Sequence, residues 1–208
     1  MRIDLLKTTP DRAGRYWVTF EDGTKLPLYR QTVEDFGLYT GVELTEEAYD
    51  KLLVAAGAMS AKMRAVRIVS ATNVSRRDLE ERLLRKGEDP QQAKEAVRWM
   101  EDLHLVDDRN TAEQIVHSCI SKGYGLARAK QALYEKRIPK EFWNEALEAY
   151  PDQLEKIERF LRSRLDPGSD EKQKKKAIDA LIRRGHSYAA IRQALNNLSF
   201  EPEEFEDY

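Results

Sequence analysis

From about residue 60 onward the apolar positions recur every three or four residues, the spacing that lines side chains along one face of a helix. Met63, Val66 and Val69 mark one such face, Leu79 and Leu83 a second, and Ala93, Val97 and Met100 a third. Between the second and third stands Gly87, a residue suited to the left-handed conformation just past a helix end. Ser75 with Asp78, and Asp89 with Pro90, supply helix starts on either side of it. This order of signals returns twice. With Gly87, Arg137 and Gly185 superposed, Leu83, Leu133 and Leu181 fall four residues earlier, and Leu84, Tyr134 and Ile182 follow them. Two residues past the turn stand Asp89, Pro139 and Ser187, then Ala93, Trp143 and Ile191, then the pairs Ala96-Val97, Ala146-Leu147 and Ala194-Leu195. A further helical stretch precedes each pair of helices, marked in the later two by Ala112, Ile115 and Val116 and by Leu154, Ile157 and Leu161. A short helix pair with one apolar face needs neighbours to bury it, so the pattern predicts a repeat architecture.

Residues 1–57 read differently. Ile3 and Leu5 alternate with polar neighbours, residues 15–20 are rich in aromatic and β-branched types, and Glu21-Asp22-Gly23-Thr24 supplies a hairpin turn. Residues 25–30 return as a third strand, and Pro27, lacking a backbone donor, puts that strand at an edge. Three short strands are marginal alone and must pack on helix. One helical turn at 31–36 ends at Gly37, and Thr45 with Glu46 and Glu47 opens a helix to about Ala56. Gly57-Ala58 is the expected hinge. The predicted fold is mostly α: tandem three-helix modules at 58–106, 107–150 and 151–199 in an elongated array. A small N-terminal antiparallel β-sheet plus helix at 1–57 precedes them, and an acidic tail at 200–208 follows.

Charged residues make up 35% of the 208-residue chain, well above the usual quarter, so slender, wet elements are expected rather than thick layers. The net charge of −2 hides an uneven distribution. Residues 1–50 hold six Lys or Arg against ten Asp or Glu, residues 151–199 hold eleven against seven, and the last nine hold five acids and no base. A basic body between acidic ends suits an anionic partner, and equally a solvated helical surface shielded by its ends. The one cysteine, Cys119, excludes an intrachain disulfide and sits among Ile115, Val116 and Ile120, which marks it as a core thiol. The chain shows neither a signal-peptide pattern nor an apolar run of membrane-spanning length, and a cytoplasmic, monomeric protein is expected.

Catalysis finds little to work with. His104, His117 and His186 lie apart without a second ligand or paired carboxylate, and His117 and Cys119, two apart on a helix, diverge. Asp107-Asp108 precedes a helix, where capping explains it better than metal. Gly123-Tyr124-Gly125 lacks the Lys-Ser or Lys-Thr of a phosphate loop. No cofactor, metal or catalytic residue is expected; binding is the default. The stronger signal is cationic. Lys86, Lys136 and Arg184 occupy one slot, just before the turn, in all three modules, with Arg85, Arg137 and Arg183 beside them. A cation near a helix C-terminus is favoured by the macrodipole by about 0.3–1 kcal/mol whatever the function. The dipole does not account for Arg76, Arg77, Arg82, Lys94 and Arg98 in the first module, or for Lys174, Lys175 and Lys176 in the third. Such rows of charge suit a phosphate backbone or an acidic protein surface. Trp99 and Trp143 fall on apolar spacing and read as core.

The L-L-R-K-G at residues 83–87, the LHLVDD at 103–108 followed by Ala112, and the spaced Gly125, Ala132 and Leu133 resemble RecX, the bacterial regulator of RecA recombinase. The FGLYTGVELTEEA at 36–48 is similar to the N-terminal extension of many RecX proteins. One departure is Lys136-Arg137-Ile138, where the family usually has Lys-Gly-Ile, so a residue with a side chain must make that turn. The resemblance implies tandem three-helix modules, no catalytic activity, and attachment to the RecA filament on single-stranded DNA, inhibiting ATP hydrolysis and strand exchange. The partners expected are therefore the RecA recombinase filament and single-stranded or duplex DNA, with no membrane. Two alternatives are an autonomous DNA-binding helical repeat protein and a protein-interaction scaffold that needs no DNA.

Overall fold

A computed structural model of the chain describes residues 1–199; the acidic tail at 200–208 lies outside the described residues. The chain divides into two compact units, Met1–Asp107 and the part from Asp108 onward.

In the first unit, strands β1 (Ile3–Leu6), β2 (Arg15–Phe20) and β3 (Lys25–Tyr29) form an antiparallel sheet in the order β1-β2-β3. Pro27 faces Trp17 across the β2–β3 pair, and β3 is an edge strand, as its missing donor requires. The hairpin is closed by Gly23 at φ 81° and by Asp22, which accepts from the Thr24 amide at 2.9 Å. A one-and-a-half-turn helix, α1 (Arg30–Asp35), leads to Gly37 at φ 56°. Ile3, Val18, Phe20 and Leu28 bury one sheet face against Leu38, Leu52 and Ala56. Phe20 meets Tyr49 edge to face with ring centroids 5.1 Å apart.

Tyr49, Leu52 and Ala56 belong to α2 (Glu46–Ala71), whose 26 residues span about 39 Å at 1.5 Å each. The expected hinge at Gly57-Ala58 is absent, because α2 runs unbroken through both residues. A glycine inside a helix costs only about 1 kcal/mol against alanine, and α2 is packed on both sides of it. Its first half covers the sheet, and its second half, through Ala61 and Ala65, lines the core of the first module. Gly57 also lies against the next helix pair: a Cβ there would fall 2.3 Å from the Gln92 side chain.

That pair is α3 (Arg76–Arg85) and α4 (Pro90–Asp102). The Ser75 hydroxyl accepts from the Asp78 amide at 3.1 Å, and the Asp89 carboxylate from the Gln91 and Gln92 amides at 2.9 and 3.1 Å. These are the helix starts the sequence signals. Leu79, Leu83, Ala93, Ala96, Val97 and Met100 form one core with the second half of α2, and Trp99 packs half-buried against it.

The second unit holds two modules. One is α5 (Asp108–Ser121), α6 (Leu126–Glu135), a 3-10 turn at Lys140–Phe142 and α7 (Trp143–Glu148); the other is α8 (Leu154–Arg162), α9 (Glu171–Arg183) and α10 (Tyr188–Ser199). Ala112, Val116, Leu133 and Ile138 centre the first core, and Ile157, Leu161, Ala177, Leu181, Ile191 and Ala194 the second. Trp143 lies half-buried on its core and donates to the Ile138 carbonyl at 2.9 Å. Cys119 is buried, and desolvation pushes its thiol up, which keeps it in the uncharged form.

The three superposed turns have the same backbone. Gly87, Arg137 and Gly185 take φ of 84°, 57° and 85°. The next amide in each, of Glu88, Ile138 and His186, reaches back to Leu83, Leu133 and Leu181 at 3.2, 3.0 and 3.2 Å. This is the Schellman pattern that satisfies helix-end carbonyls. Arg137 adopts it against the side-chain penalty of about 1–2 kcal/mol that glycine avoids.

Within the second unit the modules are joined by backbone. The Gly125 amide donates to the Arg184 carbonyl at 2.9 Å and the Ala127 amide to Gly185 at 3.2 Å. The bare amides at the start of α6 are thus capped by the bare carbonyls after α9, which also aligns the two helix dipoles favourably. A Cβ on Gly125 would fall 2.1 Å from the Gly185 oxygen, and one on Gly185 2.2 Å from the Arg128 nitrogen. Around this contact the Lys156 ammonium donates to Ile120 O at 2.6 Å and the Tyr150 hydroxyl to Tyr124 O at 2.7 Å. Burial pushes the Tyr150 phenol up to about 12.

His186 is buried in the same joint, its Nε2 3.0 Å from Gly123 O. A carbonyl only accepts, so Nε2 carries the proton. Burial, aided by the nearby Arg184 charge, lowers its pKa below the ordinary 6.5, while the bond to Gly123 opposes the shift. The folded unit then binds fewer protons than the unfolded chain. Its contribution to stability is fully present above about pH 6.5, the unfolded value, and is lost as pH falls through the lower folded pKa. Urea midpoints measured from pH 7.5 to 5 should fall in that window for the natural chain, and His186→Gln should flatten the fall.

Candidate partner-binding surface

The cationic residues divide by what they already touch. Arg82 grips Asp78 with two nitrogens, at 2.9 and 3.1 Å, one turn apart on α3. Arg77 pairs with Glu81 at 3.7 Å, Arg76 with Glu101 of α4 at 3.3 Å, and Lys174 with Glu171 at 2.9 Å. All four are partly neutralised; the Arg82–Asp78 pair is half-buried, while the other three are more exposed pairs of a kind that contributes at most about 1 kcal/mol. Arg85, Lys86, Lys94, Arg98, Lys175, Lys176 and Arg183 are exposed and form no ion pair among the described residues. Lys136 is exposed and Arg137 half-buried at the second turn.

The turns hold their cations in different ways. In the first module Glu88, directly after Gly87, accepts from Ser60 at 3.1 Å and pairs with Arg64, both on α2. This fixes the turn that carries Arg85 and Lys86. In the third, Arg184 lies 4.5 Å above the Phe160 ring, with Arg164 at 5.6 Å, a cation–π arrangement that orients an exposed guanidinium. Neither Glu88 nor Phe160 stood out in the sequence. An acid after a turn glycine and a phenylalanine on a core face carry no signal of that role.

Lys172 and Lys174 stand in the first turn of α9, where the helix dipole disfavours cations, and Lys175 and Lys176 follow in the second. That start is held by a capping box: Asp170 accepts from the Gln173 amide at 2.7 Å, and Gln173 from the Asp170 amide at 2.8 Å. The other open surfaces offer less chemistry. An open groove of about 700 Å³ between α5 and α7 is lined by His117, Ser118, Ser121, Ala146 and Ala149 among others. One of about 540 Å³ in the head runs past Tyr16, Arg30 and Tyr39. Among the described residues no group of three His, Cys, Asp or Glu side chains could hold a metal ion. His117 is exposed while Cys119 is buried, so they point apart, as their spacing implies. No helix among the described residues is long and apolar enough to cross a membrane.

Residues 107–147 match the family model described as RecX, second three-helix domain. Regulatory protein RecX of Clostridioides difficile is 27% identical over 203 residues, covering 95% of this chain and 94% of that protein. That of Chromohalobacter salexigens is 30% identical over 133 residues, 63% of this chain and 88% of that protein. Among solved structures, a crystal structure of regulatory protein RecX matches with a TM-score of 0.64 at 20% identity, covering 94% of this chain and 98% of the other. RecX from Lactobacillus salivarius matches at 0.61 and 23%, covering 70% and 98%. At those identities the two structures speak for the fold: mostly helical, after a small antiparallel sheet. Similarity at 30% identity across most of a relative, on a repeat whose turns recur three times, settles the relationship: the chain belongs to the RecX family of regulatory proteins.

Proposed function

We propose that this chain binds the RecA recombinase filament on single-stranded DNA in the bacterial cytoplasm and holds back its ATP hydrolysis and strand exchange. It works by binding rather than by turnover. The observation that carries the reading is the recurrence of exposed cations at equivalent module ends: Arg85 and Lys86, then Lys136, then Arg183 and Arg184. Several weak contacts on one chain gain from effective concentration when the partner offers matching sites in series. The family's name as a regulatory protein supports the same reading.

A second reading, direct DNA binding without a recombinase, is favoured by the lysines at the start of α9. They gain nothing from the helix dipole there and would gain from phosphates. The two separate in one experiment. Fluorescently labelled chain is titrated with RecA-coated single-stranded DNA and with the bare strand, each across a salt series. Tight binding to the coated strand with weak binding to the bare one supports filament recognition. Equal binding to both, with a steep salt slope, transfers the function to DNA alone.

A further inference from the structure

Leu84, Tyr134 and Ile182 hold one position in the three modules, three residues before the left-handed turn on the middle helix. The residue before each, Leu83, Leu133 or Leu181, is buried in its core, whereas these three are 39%, 72% and 48% exposed. Each stands two residues before Lys86, Lys136 or Arg184. Single apolar residues on a surface are ordinary. An exposed aliphatic or aromatic side chain beside a cation, at the same turn of three successive modules, is a pattern.

The chemistry of the position selects among partners. Leu84 and Ile182 are aliphatic and offer no ring on which a base could stack. An apolar side chain flanked by a cation fits an apolar socket rimmed by carboxylates, a protein feature, and such buried anchors dominate interface energies. An element used three times fits a partner that offers the socket more than once, as a polymer of identical subunits does.

We propose that Leu84, Tyr134 and Ile182 are the anchors of a threefold docking element. Each enters an acid-rimmed apolar socket on successive subunits of a protein filament while the neighbouring cation meets the rim. This rests on the filament-binding reading above and adds the residues and socket chemistry.

The test uses the full chain, RecA-coated single-stranded DNA as probe, and the bare strand as control. Leu84→Ser, Tyr134→Ser and Ile182→Ser are made singly and together, with circular dichroism to confirm unchanged helicity. Leu84→Met, Tyr134→Phe and Ile182→Leu serve as conservative partners that keep an apolar anchor. Each serine change should weaken filament binding several-fold and the triple change at least 100-fold. Bare-strand binding should stay unchanged, and the conservative set should restore filament affinity. Unchanged filament binding by a folded triple variant overturns the anchors while leaving the filament reading intact. A parallel loss on the bare strand also overturns them, since the position would then take nucleic acid. Failure of the natural chain to bind the coated strand overturns the filament reading itself, and the anchors with it.

Discussion

Gly125→Ala should destabilise the second unit by about 3 kcal/mol. The added methyl would fall 2.1 Å from the Gly185 carbonyl oxygen, a backbone atom that cannot swing aside as a side chain can. Forcing packed backbone apart costs about 1–3 kcal/mol. The two bonds that cross the contact, from Gly125 and Ala127, go with it at about 1 kcal/mol each. Gly125 is the N-cap of α6, where alanine is less favoured than glycine, so a smaller part of the cost is local and the rest is lost contact between modules. Urea unfolding monitored on the whole chain gives the magnitude. Amide hydrogen exchange gives the place: protection should drop at Gly125 and Ala127 before it drops in the core around Leu133. Gly168→Ala is the comparison, because nothing lies within 4 Å of its added Cβ. A Gly125→Ala chain as stable as the natural one would mean that the joint contributes nothing.

Lys86→Glu combined with Arg184→Glu should raise the concentration needed for half-inhibition of the recombinase at least tenfold while leaving helicity unchanged. A charge reversal removes an attraction and adds a repulsion, and about 1.4 kcal/mol is already tenfold. The structural cost is smaller. Lys86 has no ion pair among the described residues, and losing the favourable interaction with a helix C-terminus costs about 0.3–1 kcal/mol. Arg184 adds its contact with Phe160, of similar size. Filament ATPase titration with near-ultraviolet and far-ultraviolet circular dichroism separates lost binding from lost fold. Inhibition equal to that of the natural chain would remove both cations from the mechanism.

The triplicated turn was legible in the sequence because a left-handed residue, a core leucine four residues earlier and a helix-starting residue two later are all local. Local geometry fixes their order. Arg137 was legible as the odd member for the same reason, and it takes the same backbone as the two glycines. The continuity of α2 was not legible. Glycine propensity is a weak preference, and what overrides it is burial against a sheet on one side and two helices on the other, known only once those elements are folded. Nor was the joint between the second and third modules. Gly125 and Gly185 look like ordinary loop and cap glycines, and their shared role depends on a close approach between segments 60 residues apart. At the surface, Arg77–Glu81 and Arg82–Asp78 follow from the one-turn spacing of opposite charges. Arg76–Glu101 and Arg64–Glu88 cross between helices and do not.

The proposed function has the cationic module ends act on a recombinase filament rather than on a small substrate or on DNA alone. It is tested most directly by RecA ATP hydrolysis on single-stranded DNA, titrated with the natural chain from well below to above one chain per recombinase subunit. Hydrolysis should fall before the one-to-one ratio is reached, because each chain would engage several subunits in series. Hydrolysis unaffected beyond that ratio, with the chain folded and the filament intact, would contradict it.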